Sequence, residues 1–311
     1  MESSQPDHFV TLPLVSKSDE SARLPLAINV VAKYWGEDLK DQGPASRATV
    51  LIEGIELAEK RGLACYIYKG SLKDLKKRID QGIPPIVITP GIQDIAQHAT
   101  VVSGYDVEER RILTYVPEPD TVGAVPEPKF EQDWEQDDMT TIVLMPADMK
   151  DLLKNDELKF VKSNRICFEA ERLRQEGKAG EATEKLYEAT ELDPENASAW
   201  SQLGGIYNEH GSDKAVVCYE KAIKLNPKYY LAYRGLGNYY LKKKDHSLAE
   251  AYYTKAIEIN AARFGPIYKN RAVARMLLGN DAGAREDLIK YLEQTPGAHD
   301  KKAIEDAISQ T

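Results

Sequence analysis

Trp200-Ser201-Gln202-Leu203-Gly204-Gly205-Ile206-Tyr207 and Tyr233-Arg234-Gly235-Leu236-Gly237-Asn238-Tyr239-Tyr240 carry one pattern twice. The first is continued by Ala215, Tyr219, Ala222 and Pro227, the second by Ala249, Tyr253 and Ala256. A weaker copy precedes them (Ala170, Leu173, Gly177, Ala182, Leu186, Ala189, Pro194), and another follows (Ala272, Gly279, Ala284, Leu288, Tyr291, Pro296). A period of about 34 residues from roughly Ser163 onward is the mark of a repeat array. The spacing puts bulky apolar groups on one helical stripe, with Gly where a neighbouring helix must come close. The second helix of each unit offers small residues to receive the large ones of the first. Pro194, Pro227 and Pro296 then stand where a residue without an N–H ends the helix. No unit buries its face alone, so the stack is the cooperative structure.

These residues resemble the tetratricopeptide repeat (TPR) family. The units run 163–196, 197–229, 230–263 and 265–298, and 299–311 forms a capping helix in which Ala303, Ile304, Ala307 and Ile308 share a face. There are departures: the second unit is one residue short near Gly211, the third has Ala261 where Pro is usual, and the fourth has Arg271 where Leu is expected. The resemblance implies a protein or peptide partner held on the first helices. One version of that groove uses basic and Asn side chains to clamp a peptide carboxylate. Mapped by position, the partner-binding candidates are Arg234, Asn238 and Lys269, while Gly205 and Val273 stand where the clamp would need polar groups. A hydrophobic or mixed groove is the other option, with Tyr230, Leu231 and Met276 as apolar contacts or as helix packing.

With 311 residues, 42% hydrophobic and 29% charged, the chain is long enough for two domains of ordinary globular composition. Its apolar runs are too short for a transmembrane helix. The start lacks the basic and apolar regions of a signal peptide, so the expected location is cytoplasmic, although an exported mature form without its leader would read the same way. Cys65, Cys167 and Cys218 have neither disulfide-framework nor zinc spacing. The net charge of −9 lies wholly in residues 1–150, which hold 25 Asp+Glu against 16 Lys+Arg. Glu118 to Asp138 alone carries eight acids against Lys129, a field that repels phosphate backbones and argues against a nucleic-acid partner. That segment lacks the loop pattern of a calcium hand, and no metal or other cofactor is expected.

Residues 1–147 read as α+β. Helical stretches at Leu24–Trp35, Ala45–Arg61 and Leu72–Gln81 precede strands at Ile86–Thr89, Ala99–Tyr105, Ile112–Tyr115 and Thr141–Leu144, with a hairpin connection at Asp106–Arg111. Cys65, in Ala64-Cys65-Tyr66-Ile67, reads as a core-facing strand residue. Residues 148–162 form a linker.

That order, with Pro25 and Ala27 before Tyr34-Trp35-Gly36, Gly70-Ser71-Leu72 and Gly82-Ile83-Pro84-Pro85, then His98-Ala99-Thr100-Val101-Val102-Ser103-Gly104-Tyr105, resembles the papain-like double-glycine leader peptidases. The resemblance implies a papain-like domain in which the nucleophile position is Arg23, the oxyanion position Lys17, the catalytic His is His98 and the orienting Asp position is Val116. The chemistry needs a thiolate, an imidazole, an acceptor to orient it and an oxyanion donor. A guanidinium stays protonated and cannot attack a carbonyl. The catalytic set is thus empty apart from a vestigial His98, which also reads as a strand residue bonded locally. Trp134 is expected to pack over the sheet with the neighbouring acids in water. The expectation is a non-catalytic, two-part polypeptide-binding adaptor, a pseudopeptidase domain joined to a TPR groove. The alternative is a papain-like hydrolase with a non-standard nucleophile, Ser18 or Ser21.

Overall fold

The computed structural model describes residues 8–13, 26–39, 51–91, 96–116 and 121–310. They divide into two compact units, one of residues 1–88, 99–134 and 139–193, the other of 89–98, 135–138 and 194–311.

In the first unit, helices α1 (Leu26–Tyr34), α2 (Leu51–Lys60), α3 (Leu72–Asp80) and α4 (Glu127–Glu135) flank a six-stranded sheet. Its strands are β1 (Leu63–Lys69), β2 (Ile86–Pro90), β3 (Gln97–Asp106), β4 (Arg111–Val116), β5 (Thr121–Pro126) and β6 (Thr140–Pro146), in the order β1-β6-β2-β3-β4-β5. The strand period of two sorts side chains between faces. Ile86, Ile88, Val101, Ile142 and Leu144 join Ile28 and Val31 of α1 and Ile52 and Ile55 of α2 in one cluster. Their neighbours Val87 and Val102 turn to the opposite face, among Leu75, Ile79, Phe130 and Trp134. Ser71 caps α3, its hydroxyl accepting from the Asp74 N–H at 3.2 Å.

The expected strands and the hairpin at 106–111 are present. Leu24, Pro25 and residues 45–50 lie outside the described residues, and so do Glu118 and Asp120. Sequence reading did not place β5 or α4. Trp134 is fully buried, its indole N–H donating to the Thr140 carbonyl at 3.1 Å. The acids of its own segment, Glu131, Asp133 and Glu135, are partly exposed, whereas Glu127, Asp137 and Asp138 on either side are buried. Glu127 is paired with Lys76. Cys65 is half-buried against the α1–α2 cluster, and burial pushes its thiol far up.

The stretch expected as a linker is packed. A 3₁₀ helix spans Ala147–Leu153, Leu153 is buried with Tyr68 and Ile83, and Lys159 bridges to Lys69. Helices α5 (Val161–Gln175) and α6 (Ala179–Leu192) follow within the same unit. Phe168 packs on the α1–α2 cluster, while Arg165 pairs with Glu59 at 2.7 Å and Arg172 with Glu56 at 2.7 Å.

The second unit holds α7 (Ala197–Glu209), α8 (Lys214–Leu225), α9 (Tyr230–Lys242), α10 (His246–Ile259), α11 (Pro266–Leu277), α12 (Asp281–Gln294) and α13 (Lys301–Gln310). They pair as α7/α8, α9/α10 and α11/α12, and the first helices are neighbours in the order α7, α9, α11. The small-residue rule is visible at Gly237, where a Cβ would come within 2.5 Å of the Tyr253 ring; at Gly204 the Tyr219 ring is 3.0 Å away. Asn196, Asp245 and Asn280 cap α7, α10 and α12 by accepting backbone N–H bonds. Ile304, Ala307 and Ile308 of α13 pack on Ala272, Ala284 and Leu288, closing the apolar end, while Ala303, expected on that face, is exposed.

Candidate functional site

In the second unit, Arg234 and Asn238 lie one turn apart on α9 and so on one face of it. The Arg234 guanidinium sits over the Phe264 ring, 4.8 Å from its centroid, and is half-buried. No hydrogen bond or ion pair engages it among the described residues. Burial, with Arg263 adding to it, lowers its pKa from the ordinary arginine value. Beside it the hydroxyl of fully buried Tyr230 has no hydrogen-bond partner, and burial pushes its pKa up to about 12. A half-buried cation without a hydrogen-bond acceptor among the described residues, whose charge also pulls on the Asp137 carboxyl, forms a place where an anion is stabilised.

Asn238 continues this face. Its Oδ1 accepts from the Tyr253 hydroxyl at 2.8 Å and from Asn270 Nδ2 at 3.3 Å, which brings α9 and α11 together through two amides. Asn270 was missed in the sequence reading. Its signal was available, since it lies next to Lys269 on the helix already singled out. Lys269 itself goes elsewhere: its ammonium pairs with Asp300 at 2.8 Å and lies over the Tyr291 ring at 5.0 Å. Of the three partner-binding candidates, the structure places Arg234 and Asn238 on one face and ties Lys269 to Asp300. Gly205 is on α7. Val273 is exposed on α11, as are Met276 and Leu277.

A second cluster in the same unit surrounds Arg263, which is buried. Its guanidinium donates to the Ala96 carbonyl, pairs with Asp137 at 2.7 Å and stacks on Tyr230 at 4.4 Å. Gln97 Nε2 also donates to Asp137, at 2.6 Å. Burial pushes the Asp137 carboxyl up against the pull of Arg263. The same segment is gripped by Asn226, donating to the Glu135 carbonyl at 2.8 Å, and by Asn260, donating to Gln136 at 3.2 Å. Asn226 and Asn260 recur at one repeat period, a signal legible in the sequence.

Of the positions that the peptidase resemblance would make catalytic, Lys17 and Arg23 lie outside the described residues, as do Ser18 and Ser21. Val116 ends β4, paired with Thr121. His98, near the start of β3, hydrogen-bonds Thr89 Oγ1 through Nε2 at 3.2 Å. Burial and the charge of Arg263 lower its pKa.

Comparison with known proteins finds a match to the family model "Tetratricopeptide repeat" over residues 211–264, which span α8, α9 and α10. No curated protein matches the chain. Among solved structures, "Crystal structure of MamA protein" is 27% identical, covers 50% of this chain and 80% of its own, and has a TM-score of 0.39. "Crystal structure of MamA" is 20% identical, covering 45% and 88%, with a TM-score of 0.39. A thermophilic TPR protein of Thermus thermophilus is 18% identical, covering 52% and 87%, with a TM-score of 0.42. Residues 211–264 of the helical region are therefore similar to a tetratricopeptide repeat.

Proposed function

We propose that the protein is a non-catalytic adaptor that binds an extended polypeptide on the first-helix face of its repeats, with Arg234, Asn238 and Asn270 as the anchoring polar groups. The observation that carries this reading is the half-buried Arg234 guanidinium without a hydrogen-bond acceptor among the described residues, beside the unpartnered Tyr230 hydroxyl. Leaving a desolvated cation unpaired costs free energy that an incoming carboxylate would recover. On this reading Lys269 acts through Asp300 rather than by touching the ligand.

The first unit is proposed to be a degenerate papain-like domain, retained as a second polypeptide-binding surface. Its support is the leading pair of helices α1 and α2, the antiparallel pairing of β1 with β6 and of β3, β4 and β5, and the Arg, Lys and Val at the nucleophile, oxyanion and orienting positions of the resemblance. Four repeat units at 163–196, 197–229, 230–263 and 265–298, with a cap at 299–311, complete the proposed domain plan, and the proposed location is the cytoplasm. The test is incubation of the purified chain with a peptide library. Binding without cleavage, weakened by Arg234→Ala, is expected. Turnover that disappears in His98→Ala would reject the reading.

A further inference from the structure

The face that holds Arg234 and Asn238 changes character along α11. Beyond Asn270 come Val273, Met276 and Leu277, a stripe at helical spacing whose side chains are 41%, 39% and 58% exposed. Apolar residues of this size are expected to be covered when they form a contiguous stripe. The capping helix does not cover them: Ile304, Ala307 and Ile308 cluster with Ala272, Ala284 and Leu288 instead. The Asn238–Asn270 contact at 3.3 Å makes the stripe continuous with the cationic end of the face.

We infer that the α11 stripe is the specificity-determining seat for the same ligand, and that this ligand carries an acidic side chain followed at short range by apolar residues. The inference rests on the proposed polypeptide-binding role of this face. Charge complementarity sets one end, because Arg234 has no hydrogen-bond acceptor among the described residues and shares its face with Asn238, which meets Asn270. Hydrophobic burial sets the other. The helical rise of about 1.5 Å per residue puts Met276 and Leu277 roughly 10 Å along α11 from Asn270. An extended peptide advances about 3.3 Å per residue, so a peptide whose acid is held at the Asn238–Asn270 end of the face has its apolar side chains about three residues further on. The carboxylate belongs to a side chain, so a free C-terminus is not needed.

The experiment is fluorescence anisotropy of the full chain with a labelled peptide, Gly-Ser-Glu-Gly-Ser-Leu-Leu-Gly-Ser, blocked at both ends so that Glu is the only carboxylate. Partner peptides with Ser-Ser for Leu-Leu, with Gln for Glu, and with Glu directly before Leu-Leu complete the set. The parent peptide is expected to bind at least about tenfold tighter than any of these controls. A Met276→Ser, Leu277→Ser variant is expected to lose that discrimination while still requiring the Glu. Its exposed positions make unfolding an improbable cause of the loss, and an unchanged thermal melt checks this. If the double variant binds all peptides as the parent protein does while Arg234→Gln abolishes binding, the apolar seat is overturned and the adaptor reading stands. Equal affinity for the two Glu-Leu-Leu spacings overturns the assigned geometry. If the parent protein binds none of the peptides, the seat and the adaptor reading fall together.

Discussion

Arg271 occupies the place where the repeat pattern expects Leu, and the structure shows how the substitution is accommodated. Its guanidinium makes a two-pronged pair with buried Asp287 at 2.9 and 2.7 Å and donates to Thr254 at 3.0 Å. Arg275 adds a bond to the same carboxylate and is also held by Glu250. A buried pair contributes little net stability, but removing one partner leaves an uncompensated charge. Asp287→Ala is therefore expected to destabilise the unit by about 3–5 kcal/mol, and Arg271→Leu with Asp287→Leu to recover most of it, as read from urea unfolding of the two variants. Recovery absent from the double variant would mean that the pair does more than neutralise itself.

His98 gives a pH dependence at the same scale. Its folded pKa lies below the ordinary 6.5 because burial and Arg263 disfavour the charged ring. The unfolded chain therefore binds the proton more readily. Stability from this group is complete above its ordinary pKa and declines as the pH falls through and below it. Comparing the urea midpoints of the parent protein and His98→Gln across that range is expected to show the parent losing more on acidification. Parallel curves would contradict the assignment.

At the scale of the element, the repeats were legible because their physics is local and periodic. Gly237 shows why: a Cβ there would meet the Tyr253 ring at 2.5 Å, and Tyr253 in turn bonds Asn238. Gly237→Ala is expected to cost about 1–3 kcal/mol and to weaken peptide binding by displacing Asn238, measured by thermal melting and anisotropy. The α+β order of the first half was legible from β-branched runs. Strand β5 was not, because Gly123 and Pro126 interrupt its β-branched run, and helix α4 was not, because its acids mask the apolar spacing of Phe130 and Trp134. Charge also hid the burial of Asp137. Nothing local to the segment 135–138 announces that Arg263, more than a hundred residues away, neutralises it. On the candidate face, repeat position identified Arg234 and Asn238, whereas the Asp300 partner of Lys269 depends on the turn into the cap.

At the scale of the whole molecule, the two units invite different tests. In the first, the proposed papain-like reading would put Arg23 at the nucleophile position, and an arginine stays protonated and cannot attack a carbonyl. A serine-directed covalent probe is expected to leave Ser18 and Ser21 unlabelled. In the second, the repeats offer a cation, two amides and an apolar stripe along one face. The most direct measurement of the central claim is to pass a defined peptide pool over immobilised full-length protein and sequence both retained and unretained fractions by mass spectrometry. The account expects intact acidic–apolar peptides in the retained fraction, their enrichment lost with Arg234→Ala, and no new termini in either fraction. New termini that vanish in His98→Ala, or a retained set unchanged by Arg234→Ala, would contradict it.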